Sequence, residues 1–150
     1  MPQSLVKNYI HITFSTKGRV PFIDEPIKNE LFSYLGGICK NKECNPVVVG
    51  GHKDHIHILC LLSRKVALMD LIETLKTHSS KWIKTKGGDY ENFYWQRGYG
   101  GFSVHYTQID IVKKYIENQD EHHKKKSFKE EYLTLLKDYE IDYDERYVWD

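Results

Sequence analysis

Two histidines separated by one residue, His55 and His57, are the residues in this sequence whose type and spacing best suit metal chemistry. Side chains two residues apart on a β-strand project from the same face, so both imidazoles could reach one cation. Ile56, Ile58 and Cys60 alternate with them and supply an apolar face for a core, which leaves the histidines facing elsewhere. The pair alone is an incomplete site, and a strand with one histidine in a polar patch and the other exposed fits the same pattern.

A second pair of reactive side chains, Tyr115 and Gln119, falls four residues apart in a segment with helical periodicity. On a helix this spacing puts a phenol and an amide oxygen on one side, one turn apart. Ile109, Val112 and Ile116 already form the apolar stripe of that helix, and the pair falls beside the stripe. The pair can therefore face a site, although the pair taken alone favours a tyrosine at the core boundary with its hydroxyl in water.

The elements that must position these residues follow from hydrophobic periodicity and from turn signals. Apolar and polar residues in alternation predict strands, and apolar residues at helical spacing predict helices. In chain order the predicted elements are a strand over 7–16, a helix over 24–40, a hairpin of strands over 47–49 and 55–61, a helix over 68–84, a strand over 93–104 interrupted by a loop at 97–100, a helix over 108–123, a short helix over 128–139 and an acidic tail over 141–150. This order predicts an α+β fold, with an antiparallel-rich sheet and helices on one face.

Length and charge limit the class of protein. The chain has 150 residues, of which 40% are hydrophobic, and this suits one domain with its own core and excludes a second large domain. A formal net charge of +1, taken alone, argues against a nucleic-acid binder. Residues 1–128, however, carry 19 basic and 13 acidic side chains, whereas residues 129–150 carry 3 and 8. The sequence thus predicts a basic domain over 1–128 with an acidic C-terminal extension over 129–150. The hypothesis that follows is that the extension packs against the basic domain and either shields part of its surface or limits nonspecific DNA binding.

Cysteine usage and the lack of targeting signals predict a cytoplasmic protein. Cys39, Cys44 and Cys60 are odd in number, form no C-x-x-C pair and lie among apolar residues, which is typical of reduced cysteines. No segment has the pattern of a secretory signal, and no apolar run approaches the about 18 residues of a membrane span. We therefore expect the chain to be soluble and to stay in the cell.

Taken together, His-x-His on a strand and Tyr-x-x-x-Gln on a late helix resemble the single-tyrosine HUH transposases of the insertion-sequence 200/605 group. The resemblance leaves out only the end beyond about Phe128, although similar tails occur on some members, including domesticated relatives associated with repetitive palindromes. The segments that carry it are 9–17 (YIHITFSTK), 54–59 (DHIHIL), 76–82 (KTHSSKW), 93–100 (FYWQRGYG) and 115–119 (YIENQ). It implies the ferredoxin-like HUH fold and a protein that associates with the nucleoid when bound to DNA.

The resemblance also implies a role for each of four side chains. His55 and His57 would be the paired ligands of a divalent metal, Mg²⁺ or Mn²⁺, and Gln119 would be its third protein ligand. Tyr115 would be the nucleophile, which attacks the scissile phosphate and leaves a 5′-phosphotyrosine. Two imidazoles and an amide are not the oxygen cage that Mg²⁺ prefers, so we expect weak binding completed by water and phosphate oxygens. The implied substrate is a single-stranded DNA hairpin at the element ends, and the implied assembly is a homodimer whose chains share their active sites.

Basic and aromatic side chains are available for contact with DNA phosphates and unpaired bases. The candidates are Lys76, Lys81, Lys84, Arg97, Tyr99, Lys113 and Lys114. His122 and His123 follow Gln119 closely but suit the end of a helix, so neither is assigned to the metal, and His11 has no assigned role. Two other functions remain open, namely a non-catalytic domesticated DNA-binding protein and a metal-dependent phosphodiesterase that uses water.

Overall fold

A four-stranded antiparallel sheet forms the centre of the structure, a computed structural model that describes residues 2–150. Its strands are β1 (Tyr9–Ser15), β2 (Asn45–His52), β3 (His55–Leu61) and β4 (Gly100–Val104), and they lie in the order β2-β3-β1-β4. The register places Thr13 opposite His57 and Ser15 opposite His55. The strand that carries both histidines is therefore an interior strand, flanked by β2 and β1.

Five α-helices and three short 3₁₀ helices complete the described part of the chain. The α-helices are α1 (Glu25–Asn41), α2 (Leu68–Lys84), α3 (Ile109–Glu117), α4 (Gln119–His122) and α5 (Phe128–Asp138). The 3₁₀ helices are Lys17–Arg19, Gly88–Asn92 and Tyr106–Gln108. Within residues 2–150, none of the helices has the length and apolar character that crossing a bilayer requires.

One face of the sheet carries the main hydrophobic core, which α1 and α2 cover. Phe14 of β1 and Ile56 and Ile58 of β3 project to this face and are fully buried. The two helices meet them with apolar stripes at three- and four-residue spacing. These stripes consist of Ile27, Leu31, Leu35 and Ile38 on α1, and of Leu71, Ile72, Leu75 and Ile83 on α2. The predicted α+β fold with an antiparallel sheet is confirmed, and its two long helices share one face as expected.

The opposite face of the sheet carries the histidines and is covered by the later helices. Ile116 of α3 packs on Leu59 and Val104 of the sheet, and Phe102 of β4 packs against the buried side chains of α5. The expectation of helices on one face therefore describes α1 and α2 only. Leu59, Phe102 and Val104 give the second face an apolar surface, and the burial of that surface requires a second layer of helices.

The strand predicted over 93–104 is a strand only at β4. Trp95 makes a single bridge to Thr16 instead of a ladder. Its indole Nε1 donates to Ser79 Oγ at 2.9 Å, and its ring stands edge-on to Phe14 with centroids 4.9 Å apart. Side-chain contacts with α2 and the core thus hold this segment, and an alternating sequence pattern does not reveal such contacts.

The helix predicted over 108–123 is divided into α3 and α4. At Asn118 the backbone has φ −99° and ψ 24°, outside the helical range, although the backbone N–H of Asn118 still donates to Lys114 O. The division falls between Tyr115 and Gln119. The two side chains consequently belong to different helices, although both reach the histidine face of the sheet.

Residues 129–150 contact the rest of the chain at several points. A capping box begins α5, in which Ser127 Oγ accepts from Glu130 N while the Glu130 carboxylate accepts from Ser127 N. The Asp150 carbonyl accepts from Gly98 N at 2.8 Å, and the guanidinium of Arg19 lies 5.7 Å from the centre of the Trp149 ring. The extension thus packs on the basic body, while the division at residue 128 and the effect on DNA binding stay predictions.

Candidate metal and nucleophile site

His55 and His57 are fully buried, and a neighbouring side chain holds the Nδ1 atom of each. His55 Nδ1 lies 2.7 Å from Asp54 Oδ1, and His57 Nδ1 lies 2.7 Å from His11 Nε2. An imidazole held at one nitrogen presents the other in a fixed direction, which is the usual arrangement for histidines that ligate metals. Both Nε2 atoms therefore point away from these partners, toward side chains of the later helices.

Gln119, which is buried at the start of α4, brings its Oε1 to 2.9 Å from His55 Nε2. The Gln119 amide donates to Glu131 Oε2 at 3.1 Å, and this bond fixes which end of the amide faces the histidine. When His55 is neutral and its ring hydrogen on Nδ1 is donated to Asp54, an imidazole lone pair and an amide oxygen face each other across 2.9 Å. Two acceptors at this distance need a positive charge between them, either a proton or a metal ion. The three predicted metal ligands thus lie together, in an arrangement that fits a cation.

Glu131 on α5 is a member of this cluster that sequence reasoning missed. Its side chain is 2% exposed, and its Oε1 lies 2.9 Å from His57 Nε2 and 3.5 Å from His55 Nε2. One signal could have found it, because Glu131 falls in the apolar stripe of α5 with Phe128 and Tyr132. A carboxylate in such a stripe is buried only when it is paired. Because residues 129–150 are acidic as a whole, the negative charge of Glu131 did not distinguish it from its neighbours in the sequence.

Tyr115 on α3 reaches the cluster through Glu131. Its hydroxyl donates to Glu131 Oε2, and its ring stands edge-on to His57 with centroids 5.7 Å apart. Burial first, and then the negative charge of Glu131, raise the pKa of the phenol well above its ordinary value. A cavity of about 280 Å³ lies beside Tyr115, and its walls include His11 and Lys126. The predicted nucleophile thus lies against the predicted ligands of its own chain, with open space next to it.

Burial and ion pairing determine the charge of the cluster. Burial, reinforced by the charge of His57, lowers the pKa of His11 to about 3, so this imidazole is neutral near pH 7. Burial alone would raise the pKa of Glu131, but hydrogen bonds with His123 and His57 outweigh it and hold that pKa well below its usual range. The site therefore contains an ionised carboxylate among histidines, and this combination attracts cations.

The two histidines at the end of α4 also take part in the cluster, although the sequence assigned them no role at a metal. His123 Nε2 lies 2.9 Å from Gln119 Oε1 and 3.3 Å from Glu131 Oε1. The His123 ring stacks on His52 with centroids 5.3 Å apart. His122 Nε2 lies 3.2 Å from Glu131 Oε2 without the geometry of a hydrogen bond. The end of α4 thus directs the imidazoles of His122 and His123 toward the Glu131 carboxylate. The sequence had predicted a solvated helix end there.

The predicted DNA contacts divide between the two faces of the sheet. Lys81 and Lys84 lie on α2, which covers the face opposite the histidines, whereas Lys113 and Lys114 are exposed on α3. Lys84 Nζ lies 4.4 Å from the centre of the Tyr94 ring, and Tyr94 is 58% exposed. The predicted set therefore forms no single patch around the histidines.

Lys76 makes its contacts within the protein. Its Nζ donates to the carbonyls of Gln96, Arg97 and Gly98 at 2.8, 2.9 and 2.7 Å. Burial lowers the pKa of this ammonium to about 8. Lys76 thus holds the loop that presents Arg97 and Tyr99, both of which are exposed, and its three donor hydrogens already have acceptors.

The fold is shared with solved structures of proteins described as transposases. One solved structure that shares it is a protein from Deinococcus radiodurans R1 assigned as a transposase, with a TM-score of 0.62, 20% identity, and coverage of 79% of this chain and 96% of that chain. Another is a REP-associated tyrosine transposase bound to a REP hairpin, with a TM-score of 0.60, 12% identity, and coverage of 82% and 73%. No protein of curated function matches the chain.

The chain belongs to the family described as "Transposase IS200 like", whose sequence pattern matches residues 4–119. The resemblance found in the sequence motifs is thereby confirmed. Transposases cut and rejoin DNA strands, so the chain is an enzyme of DNA recombination. The matched segment ends at Gln119, and α5 with Glu131 therefore lies outside it.

Proposed function

We propose that this transposase cuts and rejoins single-stranded DNA through a covalent 5′-phosphotyrosine on Tyr115, assisted by a divalent cation at His55, His57 and Gln119. The observation that carries the proposal is the position of the Tyr115 hydroxyl, which shares Glu131 with the histidine and glutamine cluster. A nucleophile and a cation must meet at one phosphate for this chemistry. Here the Tyr115 hydroxyl and the donor atoms that would hold a cation lie on the same face of the sheet, which supports the proposal.

The donor atoms support a divalent cation at this site. His55 Nε2 lies 2.9 Å from Gln119 Oε1, and the ligand atoms offered by His55, His57 and Glu131 lie within 4.8 Å of one another. Imidazole nitrogens suit Mn²⁺ better than Mg²⁺, which prefers oxygen, so of the two expected ions we propose that Mn²⁺ binds more tightly. When bound there, the cation supplies Lewis-acid stabilisation of the charge that develops on the scissile phosphate.

The side chains of the site divide the remaining work between them. Asp54 and His11 hold the two histidines in orientation, and Glu131 accepts the Tyr115 hydrogen bond and so directs the phenol oxygen. Tyr115 Oη then attacks phosphorus and gives up its proton toward Glu131, while the bond from phosphorus to the 3′-oxygen breaks. The departing 3′-oxygen takes up a proton and leaves as a 3′-hydroxyl strand end. Because the tyrosine ester retains the phosphodiester energy, attack by another 3′-hydroxyl rejoins DNA without ATP and frees Tyr115.

We propose a DNA hairpin with single-stranded flanks as the substrate. The transposase bound to a REP hairpin is a structural relative. This chain has exposed tyrosine rings next to lysine side chains. A base stacked on Tyr94 with Lys84 beside its phosphate, and strands held by Lys113 and Lys114 on the histidine face, are the contacts that we expect. Because its proposed substrate is chromosomal DNA, we propose that the protein acts in the cytoplasm and is associated with the nucleoid when it binds DNA.

The assay that tests this function uses a pool of 3′-labelled hairpin oligonucleotides with randomised flanks, incubated with the protein and Mn²⁺. We expect label to migrate with the protein on a denaturing gel, and the band to disappear with EDTA. The same pool labelled at the 5′ end is the control, since it should yield only free fragments. Free fragments from both ends would indicate a phosphodiesterase that uses water, and binding without cleavage would indicate a non-catalytic DNA-binding protein.

The arrangement of subunits has its own test, because Tyr115 contacts Glu131 and His57 of its own chain. The homodimer with shared active sites, which the family resemblance implies, is the competing arrangement, and in it α3 would complete the site of a partner. Tyr115→Phe and His57→Ala protein should be assayed separately and as a mixture. For a site within one chain we expect the mixture to form as little covalent product as either variant. Recovery of the product would instead establish that α3 is exchanged between subunits.

A further inference from the structure

We propose that Glu131 is a fourth protein ligand of the cation, so that the C-terminal helix α5 is part of the metal centre. This inference rests on the proposed function, because it adds a ligand to the same site. It goes beyond that function because α5 lies outside residues 4–119, the segment that matches the family.

Three imidazole nitrogens surround one oxygen of Glu131. The distances from Oε1 to Nε2 are 2.9 Å for His57, 3.3 Å for His123 and 3.5 Å for His55. Around an ion with bonds of about 2.1 Å, adjacent ligand atoms lie roughly 3 to 4 Å apart. The distances from the Glu131 oxygen to His55 and His57 therefore fit those between ligands of one ion.

A carboxylate also corrects a chemical weakness of the predicted ligand set. His55, His57 and Gln119 offer two imidazoles and an amide, and all three are neutral when they ligate. An ion held by them alone would bring its full +2 charge into a buried site. The carboxylate of Glu131 halves that charge and adds an anionic oxygen, the donor type that Mg²⁺ and Mn²⁺ prefer.

Packing holds Glu131 in place without help from an ion. The Phe128 ring of α5 stacks on His55, with centroids 4.7 Å apart and planes at 30°. The Glu131 Oε2 atom accepts from the Tyr115 hydroxyl and the Gln119 amide, which leaves Oε1 to face the histidines. One carboxylate thus connects the nucleophile to the cation site, and α5 sets the distance between them.

Glu131→Gln tests the inference, with Glu130→Gln as its matched control. Both changes remove one negative charge from the first turn of α5, but Glu130 is exposed and its capping box accepts glutamine equally well. Electron paramagnetic resonance of free Mn²⁺ gives the dissociation constant of each full-length protein. We expect Glu131→Gln to raise the constant at least about tenfold and to reduce the Mn²⁺-induced rise in melting temperature. Glu130→Gln should leave both unchanged.

His57→Ala separates a failure of this inference from a failure of the proposed function. Weak Mn²⁺ binding in His57→Ala, together with unchanged binding in Glu131→Gln, would overturn the Glu131 ligand but keep the proposed site, with Glu131 as an ion-pair partner of the histidines. The Glu131 ligand and the proposed metal site would both be overturned if the wild-type protein bound no Mn²⁺, or if His57→Ala bound Mn²⁺ as tightly as the wild type.

Should the melting curve reveal that Glu131→Gln does not fold, a crystal of the wild-type chain grown with Mn²⁺ decides the question. An anomalous peak about 2 to 2.3 Å from Glu131 Oε1 is the expected result. A peak bonded to the histidines but not to Glu131 would refute the proposal.

Discussion

Replacement of Tyr115 by phenylalanine is expected to lower formation of the covalent DNA product at least about 10³-fold, as removal of a nucleophile does in other covalent enzymes. The change deletes one oxygen and keeps the ring that stands against His57. Glu131 Oε2 loses the tyrosine hydrogen bond but still accepts from Gln119 at 3.1 Å, so the buried carboxylate stays paired. We therefore expect the variant to fold and to bind the hairpin as the wild type does. Single-turnover reactions with 3′-labelled hairpin measure the loss.

Tyr106→Phe is the matched control for this change. Tyr106 lies in the 3₁₀ helix that precedes α3 and is 70% exposed, away from the buried cluster. We expect it to form covalent product at the wild-type rate. A covalent product that persists in Tyr115→Phe would identify another tyrosine as the nucleophile and would remove the central element of the proposed mechanism.

Gly50→Ala is expected to lower the rate of covalent product formation by about 10²-fold, although Gly50 carries no reactive group. A Cβ at this position of β2 would lie 2.7 Å from Ile116 O and 2.9 Å from Ile116 Cγ2. Backbone at that distance can only move away, so α3 must shift off the sheet and carry Tyr115 with it. A displacement of about 1 Å at a reacting group costs about 10²-fold in rate. The same single-turnover assay measures this effect.

Gly37→Ala provides the comparison for the Gly50 variant. Gly37 lies inside α1, and a Cβ there would meet nothing within 4 Å. Alanine favours a helix interior over glycine by about 0.5–1 kcal/mol, so urea denaturation should reveal equal or higher stability with unchanged activity. Wild-type activity in Gly50→Ala would contradict the view that the contact between α3 and β2 positions the nucleophile.

Local periodicity was sufficient to predict the strands and helices that carry the site. The alternation around His55 and His57 predicts a strand with both imidazoles on one face, and β3 has that form. A helical stripe predicts the segment of Tyr115, although not its division at Asn118. Periodicity failed at 93–96, where Trp95 is held by a hydrogen bond to Ser79. Alternation describes the two faces of a segment but not the partner that meets each face.

The parts of the site that sequence reasoning missed depend on tertiary neighbours. His11 contacts His57 only because β1 pairs with β3, and no local pattern around His11 distinguishes it from an ordinary strand histidine. Glu131 contacts the site only because α5 lies across the second face of the sheet. Net charge by segment separated residues 129–150 from the basic body, but it could not identify the single acidic side chain that turns inward.

The contacts of the site join parts of the chain that are far apart in sequence. His11 and His57 are separated by 46 positions, His55 and Gln119 by 64, and His57 and Glu131 by 74. Contacts of such long range form late in folding, because loop-closure entropy must be overcome before they stabilise the chain. The contacts of Gln119 and Glu131 with the histidines therefore form only once α4 and α5 have packed on the sheet. The cluster is thus a property of the complete fold, and no local segment of the chain can assemble it alone.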